Sequence, residues 1–265
     1  MRRFPVLGLA LILLLSGCST VAEHSETPNP SPIPDAAVTE AVRPDPPVWA
    51  EQTDAAVFPD DGQSAPVFST AYSLPRIDNA DASPAYQRIN DFYAAALGDL
   101  TEAADERFAQ ARKAAEHAAA QGEAFQPFAD GESYEITMAT ARQVSILRSH
   151  YSNSGGPYPL LYPIGDTFDL TTGQRLSFAD LFTIPADQAA ARVLEAVLDS
   201  NAAGSYGDTV LPEDVLMAVW SPEQFYLTED SIVLYFPDSE LPHAVGTPTF
   251  AVPYTQLEDI LQTWE

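Results

Sequence analysis

The stretch SPAYQRINDFYAAALGDLTEAADERF, Ser83 to Phe108, decides the fold class. Within it Tyr86, Ile89, Tyr93, Leu97, Leu100, Ala104 and Phe108 recur at spacings of three and four, the period that lines one face of an α-helix. Ser83 offers a capping oxygen, and Pro84 suits the first helical position, where a missing N–H is harmless. The pattern continues through an alanine-rich segment to Gly122, a natural helix end. That second half has a thin apolar face and is expected to fray.

Extended segments flank this helix. Residues 65–77 (APVFSTAYSLPRI) alternate like a strand; residues 133–151 read as a strand pair and residues 160–170 as another strand. Thr171-Thr172-Gly173 is a hairpin turn with Gly173 at positive φ. Ser177 caps a short helix through Phe182. Pro185 opens a second helix with the apolar stripe Val193, Leu194, Val197 and Leu198, ended by Asn201 and Gly204. Residues 225–228 and 232–236 form a hairpin, residues 249–252 add a strand, and Pro253 leads into a last helix carrying Leu257, Ile260 and Leu261. The expected class is α+β: a long helix on an antiparallel sheet, in two parts, residues 66–183 and 184–265.

The N-terminus carries an address. Arg2 and Arg3 precede an apolar core, Val6 to Leu15, that is shorter than the ~20 residues a bilayer span needs. Residues 1–17 therefore read as a signal peptide, and Leu15-Ser16-Gly17-Cys18 matches the bacterial lipobox, with Cys18 as the lipidated residue. Cys18 is the single cysteine, so neither an internal disulfide nor a thiolate metal site is available. Residues 18–65, with Pro28, Pro30, Pro32, Pro34, Pro44, Pro46 and Pro47, read as an acidic, extended linker. The expected location is the extracytoplasmic side of the cell membrane, held by a lipid anchor.

A formal net charge of -26 argues against nucleic acid and against anionic lipid as ligands. It suits a cationic partner, and it equally serves solubility. No chemistry announces itself. The four histidines, at positions 24, 117, 150 and 243, lack metal-ligand spacing, and no GxSxG elbow is present. Asp166 and Asp169 fall on opposite faces of one strand and are expected to edge the hairpin turn. Phe58-Pro-Asp-Asp-Gly62 is similar to a deacetylase motif, but the paired histidines that would hold its metal are missing. Gly155-Gly156, in SHYSNSGGPYP (residues 149–159), is followed by Pro157 and Pro159 rather than by a lysine and a capped helix, so a strand connection fits better than a phosphate loop. Neither cofactor, metal nor catalytic residue is assigned.

Several runs carry a family resemblance. Val144-Ser-Ile-Leu, Tyr151, Gly155-Gly156, Phe168-Asp-Leu-Thr-Thr-Gly173-Gln-Arg-Leu176 and Asp180-Leu-Phe182 resemble the RsiV-like extracellular domain, which also precedes the catalytic part of PdaC-type peptidoglycan deacetylases. Tyr72-Ser-Leu-Pro75, Ile89-Asn90, Phe225-Tyr-Leu-Thr-Glu-Asp230, Val233-Leu-Tyr-Phe236, Glu240-Leu-Pro242, Gly246, Phe250 and Pro253-Tyr254 extend the likeness to roughly residues 67–261. Members of the RsiV type are anti-sigma factors whose outer domain binds lysozyme. Many relatives carry Gly-Gly-Ala-His-Gly where this chain has Gly155-Gly156-Pro157-Tyr158-Pro159. The resemblance implies a non-enzymatic binding lipoprotein, its ligand lysozyme, another cationic protein or the cell wall. An enzyme or accessory factor acting on peptidoglycan is the alternative. The implied ligand-binding residues are Ser154, Gly155, Gly156, Pro157 and Tyr158 in one loop, and Pro242, His243 and Ala244 in a second.

Overall fold

The computed structural model describes residues 44–203, 210–236 and 247–263. The expected signal peptide, Cys18, most of the expected linker and the loop carrying Pro242, His243 and Ala244 lie outside the described residues. Residues 43–265 make one compact unit.

Five strands form the main sheet in chain order: β1 (Trp49–Phe58), β2 (Phe68–Ile77), β3 (Phe128–Ala139), β4 (Gln143–Asn153) and β5 (Leu160–Asp169). β1 corrects the linker boundary. Ten of its residues pair antiparallel with β2, from Trp49 opposite Ile77 to Phe58 opposite Phe68. Proline richness ends at Pro47, and the run that follows, free of proline and glycine, can pair as an edge strand without a clear apolar alternation.

β2 and β3 run parallel, so the sheet is mixed rather than antiparallel. The cause is α1 (Pro84–Gln121), a 38-residue crossover that returns the chain to the end where β2 began. Ser83 caps α1 by accepting from the Ala85 amide, and Gly122 closes it at φ 71°. Asn90 pins the helix to the end of β2, its side chain donating to the Ile77 carbonyl (2.9 Å) and accepting from the Ile77 amide (2.7 Å).

Tyr86, Ile89 and Tyr93 bury one face of α1 against Leu74, Ile77, Val144, Ile146 and Phe168, with Leu97 half-buried beside them. The alanine-rich half does not fray. Ala104 and Ala111 are buried in one cluster with Phe68 and Phe128, and Ala118 is buried as well. Small side chains there let the helix approach closely, and large rings from the sheet supply the apolar bulk.

A second layer covers the opposite face. It contains α2 (Ala186–Ala202), α3 (Glu213–Val219) and a three-stranded sheet, β6 (Phe225–Leu227), β7 (Ser231–Tyr235) and β8 (Thr249–Pro253). Its core gathers Val193, Val197, Leu216, Phe225, Ile232 and Phe250, but also Phe178, Leu181 and Phe182, so packing places the start of this part before residue 184. β6 docks through backbone. The Leu227 amide donates to Ser145 Oγ (2.8 Å), and Thr137 Oγ1 donates to the Leu227 carbonyl (2.7 Å). Gly165 is required there, because a Cβ would stand 1.7 Å from the Phe225 carbonyl oxygen.

The last helix does not form. Tyr254–Gln256 is a single 3-10 turn, and Leu261 instead bridges to Phe182. Leu257 and Ile260 are still buried, so their spacing reported burial correctly while the backbone took another form.

Candidate functional site

The β4–β5 register runs out to Ser152 opposite Leu160, which makes residues 153–159 the tip of a long hairpin. Local bonding holds the near side of this tip. The Gly155 amide donates to Asn153 Oδ1 (2.8 Å), and Arg107 Nη2, from α1, donates to Ser152 Oγ (3.1 Å) and Ser154 Oγ (3.2 Å). Gly155 takes φ 78°, and a Cβ there would lie 2.7 Å from the Gln126 carbonyl. Gly156 has open space around it.

Beyond the glycines the chain turns apolar and exposed. Tyr158 is 87% exposed, and Leu161 and Leu160 follow at 52% and 39%. Ser154, Gly155, Gly156, Pro157 and Tyr158 are thus brought together at one projecting end. The hydrophobic extension at Leu160 and Leu161 was not anticipated.

Behind the tip, between α1 and the sheet, lies a row of charge. Arg148 donates from Nη1 to Glu132 (2.5 Å) and from Nε to Asp166 (2.7 Å). Arg175 donates from Nε to Asp166 (2.8 Å), and His150 Nδ1 lies 3.1 Å from Glu132. Nearer the tip, Arg107 holds Asp130 through two contacts of 2.9 and 3.1 Å. Asp166 is therefore no turn edging but a buried ion-pair partner, while Asp169 does edge the turn, accepting from the amides of Thr171 (2.6 Å) and Thr172 (2.9 Å). The charges were legible as charges. Their inward phase was also available, because Asp130, Glu132, Arg148 and Asp166 alternate in step with the buried apolar positions of their strands.

The three arginines match the three carboxylates, so the row closes on itself as a structural network. Burial pushes the Glu132 carboxyl up, but bonding from His150 and the Arg148 charge outweigh it and hold it below the ordinary value. A carboxylate so held accepts hydrogen bonds and is a poor proton donor near neutrality. The Tyr93 phenol, fully buried near Asp166, is pushed far up by burial and by that charge. His150 and Glu132 are the residue types that can act as base and orienting acid beside a nucleophile. Among the described residues no hydroxyl or thiol hydrogen-bonds the His150 ring, whose centroid lies 6.3 Å from that of Tyr162.

A cleft of about 300 Å³, lined by Met138, Gln143, Leu227, Ile232 and Tyr254 among others, belongs to the second core. Gln143 begins β4 and Asn153 ends it, so strand length alone sets the cleft ~30 Å from the tip. Among the described residues no group of three or more His, Cys, Asp or Glu could hold a metal ion.

Residues 179–255 match a family model described as a protein of unknown function, DUF3298. No curated protein matches the chain. Among solved structures, it is similar to a DUF3298 family protein from Pseudomonas aeruginosa PAO1, with a TM-score of 0.58 and 15% identity over 82% of this chain and 95% of that one. A member of the same family from Bacteroides fragilis NCTC 9343 gives a TM-score of 0.58 and 16% identity, with the same coverages. These likenesses support the α+β architecture.

Proposed function

We propose that the chain is a non-catalytic binding module of the cell envelope, tethered through a lipid on Cys18 and facing outward, whose ligand is a cationic protein of the lysozyme kind. The observation that carries this reading is the apolar hairpin tip set in an acidic surface. Tyr158, Leu160 and Leu161 stand exposed together, while Arg107, Arg148 and Arg175 are turned toward buried carboxylates and leave outward charge that is mostly negative. An exposed aromatic anchor within a field of one sign is a common recognition surface: the field raises the encounter rate and the ring supplies contact. The RsiV-like resemblance names lysozyme within that class. The DUF3298 match supports the neighbouring family assignment without specifying a ligand.

The test is the full chain, immobilised, against a c-type lysozyme, an equally basic unrelated protein and purified cell wall. Lysozyme should be retained at physiological salt while the basic control is released. Equal retention of both proteins, or retention of cell wall alone, would sink the reading. The tether has its own test. Cys18→Ser should move the protein out of the membrane fraction or leave the signal peptide uncleaved, and a variant processed and retained like the parent would exclude the lipid anchor.

A further inference from the structure

The main sheet has two edges, and the chain treats them differently. On β5 the outward backbone groups are those of odd-numbered residues. The Gly165 amide donates to Tyr235 Oη (2.9 Å), and its carbonyl accepts from Arg175 Nη2 (2.8 Å). The Thr167 carbonyl and the Asp169 amide are paired with Leu176 and Gln174. Further out stands Pro163, which has no N–H to offer. β5 is thus a covered edge from Gly165 to Asp169, with a proline further out.

Among the described residues β1 has neither a cover nor a proline on its outer side. The Val48 and Phe58 carbonyls accept from Asp78 (2.8 Å) and Val67 (2.9 Å) on the β2 side, so even-numbered residues direct their backbone groups toward β2. By strand geometry the amides and carbonyls of Trp49, Glu51, Thr53, Ala55 and Val57 point away from the sheet. Among the described residues no strand pairs with that side. The strand holds no proline, and Glu51, Thr53, Ala55 and Val57 are exposed. Its charges are Glu51, which accepts from its own Ser73 hydroxyl, and Asp54.

We infer that β1 pairs antiparallel with β1 of a second copy, joining two sheets edge to edge across a two-fold axis centred on Thr53. The register follows from the side chains. With Thr53 opposite Thr53 of the second copy, Glu51 meets Ala55, Gln52 meets Asp54 and Trp49 meets Val57. All outward groups from 49 to 57 then pair, forming about ten hydrogen bonds, and no like charges stand opposite each other. Sliding two residues one way sets Asp54 against Asp54. Sliding two the other way carries Val57 past the start of the partner strand. Repulsion between chains of formal charge -26 opposes this pairing at long range, and salt screens it to ~8 Å at 0.15 M. Association should therefore tighten as ionic strength rises, opposite in sign to the capture of a cationic protein.

The experiment uses the full chain with Cys18→Ser, so that neither lipid nor disulfide contributes, and follows mass by sedimentation against concentration and salt. Mass should rise toward twice the monomer, more readily at high salt. Ala55→Glu places a carboxylate opposite Glu51 twice per dimer and should weaken it about tenfold, while Ala55→Glu with Glu51→Lys should restore it. Thr53→Pro removes the central outward donor and should abolish pairing while leaving the monomer's melting close to the parent's. Amide exchange at Glu51, Thr53 and Ala55 should slow as concentration rises. A monomer at every concentration, a dimer indifferent to these substitutions, or edge protection independent of concentration (the chain's own remainder covering the strand) would each overturn the proposal.

Discussion

Gly155 and Gly156 sit side by side in one loop, yet their surroundings differ. Gly155 combines φ 78° with a carbonyl 2.7 Å from where a Cβ would be, whereas Gly156 has neither constraint. Gly155→Ala should lower stability by about 1–2 kcal/mol through left-handed strain and the clash. Gly156→Ala should stay within about 0.5 kcal/mol in the same urea titration. Equal effects would mean that the tip adjusts freely. Arg148 poses a sharper case, because it alone bridges Glu132 and Asp166, both almost wholly inaccessible. Arg148→Met keeps the bulk but removes the partner shared by two buried carboxylates, leaving Asp166 to Arg175 and Glu132 to His150, so it should cost about 2–4 kcal/mol at pH 7. The pH dependence has a definite sign. Glu132 is held below its ordinary value of 4.5, so its contribution is present above that pH and is lost as pH falls through the lower, folded value. In Arg148→Met the Arg148 share of that contribution is gone while the His150 bond remains, and the less well paired carboxylates take up protons more readily, so the gap between variant and parent should narrow toward pH 4. A gap that stays constant from pH 7 to pH 4 would show that Arg148 acts through packing alone.

At the scale of elements, α1 shows how periodicity can report a face and still undervalue it. Tyr86, Ile89 and Tyr93 were legible as the packed stripe because large apolar side chains carry the signal. Ala111 and Ala118 were not, because a small residue on a buried face looks the same in sequence as one on a solvated face. The difference predicts a reciprocal pair of outcomes. Ala111→Leu should destabilise by about 1–3 kcal/mol through overpacking against the sheet, although it raises hydrophobicity. Leu97→Asp, at a half-buried position, should also destabilise, because it sets an unpaired charge against the apolar cluster. Thermal melts of both, beside an exposed control such as Glu102→Lys, would decide the matter, and an Ala111→Leu chain that melts higher than its parent would show space under the helix. β1 and the final turn were missed for related reasons. An edge strand needs only a weak alternation, and an apolar spacing of three fits a 3-10 turn with a bridge as well as a helix.

For the whole molecule, composition carried the electrostatic reading and the structure distributed it. Net charge was legible from the sequence, but the pairing of Arg148 depends on strand register, and that of Arg107 and Arg175 on how α1 and the segment after β5 pack, none of which a count of residues contains. The loop of Ser154 to Tyr158 was legible from its glycines and prolines as a connection. Its projection was not, because the exposure of Tyr158 depends on how the loop turns beyond its anchor on Arg107 of α1. Field and tip then separate in kinetics. If lysozyme is the ligand, its association rate with the tethered domain should fall as salt rises, because steering acts over a Debye length that shrinks from ~30 Å at 0.01 M to ~8 Å at 0.15 M. The dissociation rate should barely follow salt, since the contacts that hold the complex are short-ranged. Tyr158→Ser should do the reverse, leaving association nearly unchanged and speeding dissociation roughly 30-fold, the scale of about 2 kcal/mol lost at an interface anchor. Surface-plasmon traces across a salt series, on parent and variant, resolve both rates. A Tyr158→Ser chain that dissociates like its parent would place the contact elsewhere, even if the salt dependence of association behaved as expected.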